Sequence, residues 1–566
     1  MCVRTRPGST VPELTVQVAR ASNPTGTTAM CIRDQLDGLW SDDDFTEWYP
    51  RDGRPGLSPA QLATVCVLQF LMELSDRQAA EAVRCRIDFK YALAMDLDDP
   101  GFHHSVLTDF RARLAEEGRA DRLLDLALER IKAAGLVKER GRQRTDSTHI
   151  LAAVRDLTRI ELVTEAMRAA LEELARRAPQ ELVGLVTDEW GQRYGRAARL
   201  GKNPTHPKTR IKYLGEDAYL LLRYTRTYLR GLWDGPQIQA LRLIFLQNYF
   251  IDSRERVQWR EPDETGRPPS ATAVVSPYDL TARYARRGGT RWRGFLAHVT
   301  ESCDDGAVNI ITDVTTTPAP VYDTRSLPVI HTCLEHRNLL PAEHLVDGGY
   351  TSVALRDRAA REHQIHLVEP VRKKITRKSR KGNVFDRDAF NIDWEQRQVT
   401  CPQGKVSSGW SSSPSIAPAI QAQFSKKDCG PCPVKANCTR STHQMLTFHP
   451  RELHELLTVA RAEQHTSAWQ KRYAMRAGAE GTINEFVRGH GMRQSRYRGH
   501  DKVHVQHVLT TIAINVERIS AQHTPPDSTA DRHPRPPTTF QDFLDRQRIP
   551  RPRGVGSVFR CPTASP

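Results

Sequence analysis

The sequence predicts a mixed α/β sheet flanked by helices, with an all-helical N-terminal domain before it and a Cys-bearing insertion within it. Three observations predict this. Apolar residues recur at helical spacing from about residue 43 to 138. The period drops to two at Gln143–Ile150, and beyond residue 290 strand patterns alternate with helical ones. The chain's 566 residues allow about three to five structural units at roughly 100–200 residues each.

Taken in order, residues 1–30 are rich in Pro, Thr, Ser and Arg and are expected to be disordered. The helical domain covers 31–140. Ser58 caps a helix with Pro59 in its first turn, followed by the apolar stretch Leu62–Met72. Ser75 caps the next helix, and Ser105 begins a third. The tight turn at Glu73–Ser75 gives the layout of a helix-turn-helix, although a plain helical bundle without DNA contact fits the same pattern. The α/β unit covers 141–520. It opens with the strand Gln143–Ile150, and 151–275 returns to helix. Trp292–Thr300 and Ala307–Thr315 read as a hairpin joined by Cys-Asp-Asp-Gly. A helix over Ser326–His336, a strand at His344–Val346, a helix over Ser352–His363 and a strand at Ile365–Val368 follow, so part of the sheet is parallel. A basic, Cys-rich insertion spans 371–450, then helical patterns run over Glu452–Phe486 and Val503–Ile519. The tail 521–566, with five Pro between Thr524 and Pro537, is expected to be disordered.

Eighty-two Lys and Arg against 67 Asp and Glu leave a net charge of +15, which favours polyanionic partners. The cations gather in two zones. Val371–Lys381 carries seven and no anion, among them Arg372, Lys373, Lys374, Arg377 and Lys378. Lys471–Lys502 is rich in Arg, with Tyr473 and Tyr497 interleaved. The longest apolar stretch has eleven residues, far short of the ~20 that span a bilayer. With no apolar leader and an odd count of eleven Cys, a reducing, cytoplasmic setting is expected. Cys66 and Cys85 read as small core hydrophobes. Cys401, Cys429, Cys432 and Cys438 cluster, the last three as C-x2-C-x5-C, and offer two readings: a tetrahedral structural Zn2+ site or four reduced thiols in a loop.

Three acids stand out. Asp146 lies within the first strand, Asp347 follows a strand's apolar end before two glycines, and Glu480 lies in a helix with Arg476 and Arg472 on its face. Singly, each has a plain reading: a cap, an Asx-turn, a surface ion pair. Together, on adjoining elements of one sheet, they could hold two divalent ions.

The blocks TDSTHI, LVDGGY and YAMRAGAEGTINEFVRGHGMRQSRYRG resemble the three signature blocks of DDE transposases from bacterial insertion sequences. The last carries the Tyr-x2-Arg-x3-Glu pattern as Tyr473, Arg476 and Glu480. Ser276–Glu301 and the N-terminal helices are also similar to one subgroup, so the resemblance covers about residues 40–520. It implies an RNase H-like catalytic domain with Asp146, Asp347 and Glu480 binding two Mg2+ or Mn2+ ions. It also implies metal-dependent cleavage and strand transfer on double-stranded DNA, the terminal inverted repeats and the target, by a nucleoid-associated homodimer. Tyr473, Arg476, Arg488, Arg493, Arg496, Arg498 and the 371–381 patch are the expected DNA contacts. Two other functions are open at this point: a metal-dependent nuclease that cannot join strands, and a non-catalytic DNA-binding protein derived from such an element.

Overall fold

The computed structural model describes residues 10–523 except 51, 54–55, 198, 200–205, 262–265, 267, 372–384, 386 and 414–417, together with 538–547 and 549. Seven helices come first: α1 (Glu13–Ser22), α2 (Thr28–Leu36), α3 (Pro59–Leu71), α4 (Asp76–Cys85), α5 (Ile87–Ala92), α6 (Ser105–Leu114) and α7 (Arg119–Ala133). The Ser-Pro start of α3 works as its sequence implies, Ser58 Oγ accepting from the Gln61 N–H. Ser75 caps α4 in a reciprocal box with Gln78. Every residue from Leu62 to Phe70 is buried, so α3 has no solvent face and runs through the middle of the helical layer.

The central sheet is built from β1 (Arg142–Leu151), β4 (Arg283–Arg287), β5 (Thr290–Ser302), β6 (Ile311–Pro318), β7 (Glu343–Leu345) and β8 (His366–Val368). β1 and β5 pair antiparallel along their length, and β5 takes both β4 and β6 on its other edge. β7 joins β1 in parallel and β8 joins β7 in parallel, with α12 (Asp323–His336) and α13 (Val353–His363) as the connecting helices. The order β6-β5-β1-β7-β8, antiparallel first and parallel afterwards, is an RNase H-like mixed sheet. Gly294 lets β1 and β5 cross closely. Its φ is +151°, and a Cβ there would lie 2.1 Å from the Ile150 carbonyl oxygen.

Two excursions leave this sheet. Between β1 and β4 the chain forms α8 (Arg159–Arg177), α9 (Asp188–Tyr194), α10 (Pro207–Tyr228) and α11 (Pro236–Asn248), with the small ribbon β2 (Tyr249–Ile251) and β3 (Val257–Trp259). These elements bury their own apolar cluster, from Leu162 through Trp190, Leu221 and Phe245 to Tyr249. After β8 come β9 (Asn391–Asp393), β10 (Gln398–Thr400), β11 (Gly409–Ser413), β12 (Ala419–Gln423), α14 (Lys426–Cys429), α15 (Lys435–Cys438) and β13 (Met445–Phe448). They too have a core of their own, around Phe390, Val399, Phe424 and Phe448.

The chain returns through α16 (Arg451–Glu463), α17 (Ser467–Ala474) and α18 (Gly478–Asn484) to α19 (His500–His523). α19 is buried nearly all round from Val503 to Val516, and it packs on α2, α3 and α7 on one side and β6 on the other. The N-terminal helices, the sheet and α19 therefore share one hydrophobic core.

Several local expectations change. Within 1–30, expected to be disordered, α1 and the start of α2 are ordered: Ala19 is buried and Thr15 Oγ1 donates to the Met95 carbonyl. A composition average does not register small residues whose polar atoms are satisfied on burial. The tail holds a short helix, α20 (Thr539–Arg546), while Thr524–Pro537 lies outside the described residues. Cys66 is buried as expected, but Cys85 is exposed at the end of α4. The helical run Glu452–Phe486 is three helices, with a 3-10 turn at Met475–Ala477 and a π turn at Glu485–Gly489.

Candidate active site and cysteine cluster

The parallel register of β1 with β7 pairs Arg144 with Leu345. Two residues beyond that pair on each strand stand Asp146 and Asp347, so adjoining strands carry the two acids past their last shared pairing. Asp347 Oδ1 accepts the Gly349 N–H at 2.7 Å, the Asx-turn its sequence allows, and this turn points the chain away from the sheet edge. Glu480 lies near the start of α18, exposed to solvent. It is not paired with Arg476. The 3-10 turn swings that guanidinium onto β1, where Arg476 Nη2 stands 2.8 Å from Asp146 Oδ2.

Asp146 registers all of these neighbours. Burial first pushes its carboxyl above the ordinary range, Arg476 and the Ser147 N–H pull it back, and the negative charges of Asp347 and Glu480 raise it again. Asp347 and Glu480 thus each lie within electrostatic reach of Asp146, from 201 and 334 residues further along the chain. A fourth acid, Asp323 at the start of α12, adjoins Asp347 and is held by Arg287 Nη1 at 2.9 Å. A Cβ on Gly349 would sit 2.9 Å from Asp347 Oδ1 and 3.2 Å from Asp323 Oδ2, which shows how tightly this corner is closed. Behind it, the buried Tyr350 hydroxyl meets His298 Nδ1 at 2.7 Å. Burial lowers that imidazole to about 3, so it stays neutral. Sequence reading missed Asp323, because an acid in the first turn of a helix looks like ordinary helix-end chemistry.

The expected DNA-contacting side chains fall into three groups. Arg488 is exposed. Arg493, Arg496 and Arg498 are engaged within the chain: Arg493 on the His149 carbonyl, Arg496 on the Leu74 carbonyl at 3.1 Å and over the Phe70 ring, Arg498 on the Ala153 carbonyl at 3.1 Å. Tyr473 stacks on Trp469, with ring centroids 4.8 Å apart. Arg372, Lys373, Lys374, Arg377 and Lys378 lie outside the described residues.

Cys401, Cys429, Cys432 and Cys438 line one small cavity of about 40 Å³. The Lys405 N–H points at Cys401 Sγ from 3.4 Å, and all four are free thiols. Cys438 is pushed up to about 11 by burial and by the other three sulfurs. In donor chemistry both groups suit a metal: carboxylate oxygens a hard divalent ion, four sulfurs Zn2+. As placed, no group of three or more His, Cys, Asp or Glu among the described residues is arranged to hold an ion. Among the same residues no helix is long and apolar enough to cross a membrane.

Comparison with known families gives two matches. Residues 400–520, from the first clustered Cys through Glu480 to α19, match the transposase DDE domain. Residues 19–113, from the end of α1 through α6, match the transposase domain DUF772. Asp146 and Asp347 lie outside both spans. No curated protein and no solved structure matches the chain. Transposase matches at each end of one shared core, with an RNase H-like sheet between them, support a DDE transposase of the insertion-sequence type.

Proposed function

We propose that this transposase binds the terminal inverted repeats of its element as a nucleoid-associated homodimer and cuts and joins DNA at Asp146, Asp347 and Glu480. The observation that supports the reading is that the negative charges of Asp347 and Glu480 both bear on the Asp146 carboxyl, beside which Arg476 stands at 2.8 Å. Like charges gathered at one edge are an arrangement that cations stabilise. Asp146, Asp347 and Glu480 would hold the Mg2+ or Mn2+ ions, which would supply Lewis acidity for phosphodiester chemistry.

The chain's own residues do the rest. Asp146, on a strand paired on both sides, is the rigid member, and Asp347 is oriented by its bond from Gly349. Arg476 supplies positive charge beside Asp146, where it meets the non-bridging oxygens of a phosphate laid on the acids. Arg488 is exposed and adds to this attraction, and the basic patch 371–381 provides a second, less specific grip on the DNA backbone. Base reading falls to the helical layer, where α4 exposes Arg77 and Arg84. Cys401, Cys429, Cys432 and Cys438 would hold a Zn2+ ion, which would serve a structural role among the loops around β9–β13. Metal analysis of the purified protein tests this, with Cys432→Ser as control; wild type without zinc refutes it.

The decisive experiment incubates the protein with labelled DNA carrying the element ends, in Mg2+ or Mn2+. Wild type is expected to cut and to join the 3′-hydroxyl to target DNA, while Asp347→Asn binds the same DNA and does neither. Cutting with no joined product would instead make the protein a nuclease. Binding without cutting by wild type would reduce it to a DNA-binding protein.

A further inference from the structure

Glu301 lies in β5, directly opposite Arg144 of β1, and only 1% of it is exposed. Its two oxygens serve different elements. Oε1 accepts from Arg144 Nε at 2.7 Å. Oε2 accepts from Thr482 Oγ1 at 2.6 Å and from Arg518 Nη1 at 2.7 Å. Thr482 stands in α18, two residues after Glu480, and Arg144 stands in β1, two residues before Asp146. One carboxylate therefore ties the strand bearing one acid of the site to the helix bearing another.

The surrounding contacts complete the tie. Arg144 Nη1 also donates to the Met475 carbonyl at 2.7 Å, just ahead of Arg476. Gly478, the first residue of α18, sits so close to this guanidinium that a Cβ would lie 2.0 Å from Arg144 Nη1. Arg518 Nη2 donates to Thr482 Oγ1 at 2.8 Å and to Glu485 Oε2 at 2.5 Å, pinning the far end of α18 from α19. A buried ion pair is a poor source of stability relative to apolar side chains of the same volume, but its directional bonds fix geometry. α18 is only two turns long, Glu480 is exposed on it, and apolar packing alone leaves such a helix free to slide.

We infer that Glu301 is a positioning residue that sets the Glu480 helix at its working distance from Asp146, through Arg144 on one oxygen and Thr482 on the other. The inference rests on the proposed role of those acids, and its test separates the two. Thr482→Val removes one bond at nearly constant shape, Thr482→Ser restores it, and Glu301→Gln removes the charge. Each is measured for DNA affinity, single-turnover cleavage and amide hydrogen exchange. The expectation for Thr482→Val and Glu301→Gln is unchanged DNA affinity with cleavage slowed roughly 10- to 100-fold, the usual cost of losing a supporting partner. Exchange should quicken across 478–484 and not in β1, with recovery in Thr482→Ser. A folded Thr482→Val protein with wild-type cleavage and wild-type exchange overturns the inference, even if Glu301→Gln fails to fold. If wild type does not cut DNA, the active-site proposal falls and the exchange pattern alone decides the role of Glu301.

Discussion

Glu369 directly follows β8, with one carboxylate oxygen 2.9 Å from Arg356 Nη1 and the other buried without a partner. Burial outweighs the arginine and pushes the carboxyl up to about 7, against an ordinary value of about 4.3. Between those values the folded chain holds a proton that the unfolded chain has released, so stability falls as pH rises through the window. Glu369→Gln carries no such proton. Its unfolding midpoint, compared with that of wild type, should gain ground from pH 5 to pH 8; a difference independent of pH refutes this. At this scale the sequence was informative about position and silent about partners. Asp146 and Asp347 stood out because strand ends and paired glycines are local patterns. The pairing of Arg476 with Asp146 was not legible, since it depends on a one-turn break in helix geometry 330 residues away. The DNA-facing arginines were read from local charge density, which does not distinguish Arg488 in solvent from Arg496 laid over Phe70.

Among elements, β1 and β5 approach closely at Gly294. Gly294→Ala must place a methyl against the Ile150 carbonyl at a φ that side chains avoid. Neither strand can retreat, because β5 is paired along both edges. The expected loss is at least about 1–3 kcal/mol, the range for overpacked sites, read as a lower midpoint in urea. Unchanged stability would mean that the crossing is looser than described. The central strands β1 and β5 were visible in sequence, as were α12 and α13. The edge strand β4, Arg-Tyr-Ala-Arg-Arg, was not, since only Ala285 of its five residues is buried. Nor were β9–β13, which at three to five residues each are too short for a period of two to register.

For the whole molecule, the decisive fact is that α19 lies between the N-terminal helices and the sheet. Arg337, 3% exposed, reinforces the junction by bonding Asp313 of β6 together with Asp121 and Asp125 of α7. Arg337→Ala strands buried carboxylates without a counter-charge and should cost about 3–5 kcal/mol, measured by denaturant titration; a cost below 1 kcal/mol would show that the junction does not depend on it. A fragment of residues 31–140 should lack a cooperative unfolding transition, because its core is completed by α19. A fragment of 155–275, with a cluster of its own, should show one. The reverse outcome in calorimetry would refute this division. Hydrophobic periodicity reports that a helix is buried and not what buries it, so this sharing was beyond the reach of pattern reading.

The same arrangement has a consequence for biosynthesis. From the end of α7 to the start of α19 the ribosome must add 366 residues, which takes about 20–70 s at typical elongation rates. For that interval α3 lacks its covering helix, and so does β6 once it has been made. Nascent chains of this protein should therefore engage holding chaperones until translation nears completion, and stalling before His500 should leave them prone to aggregation.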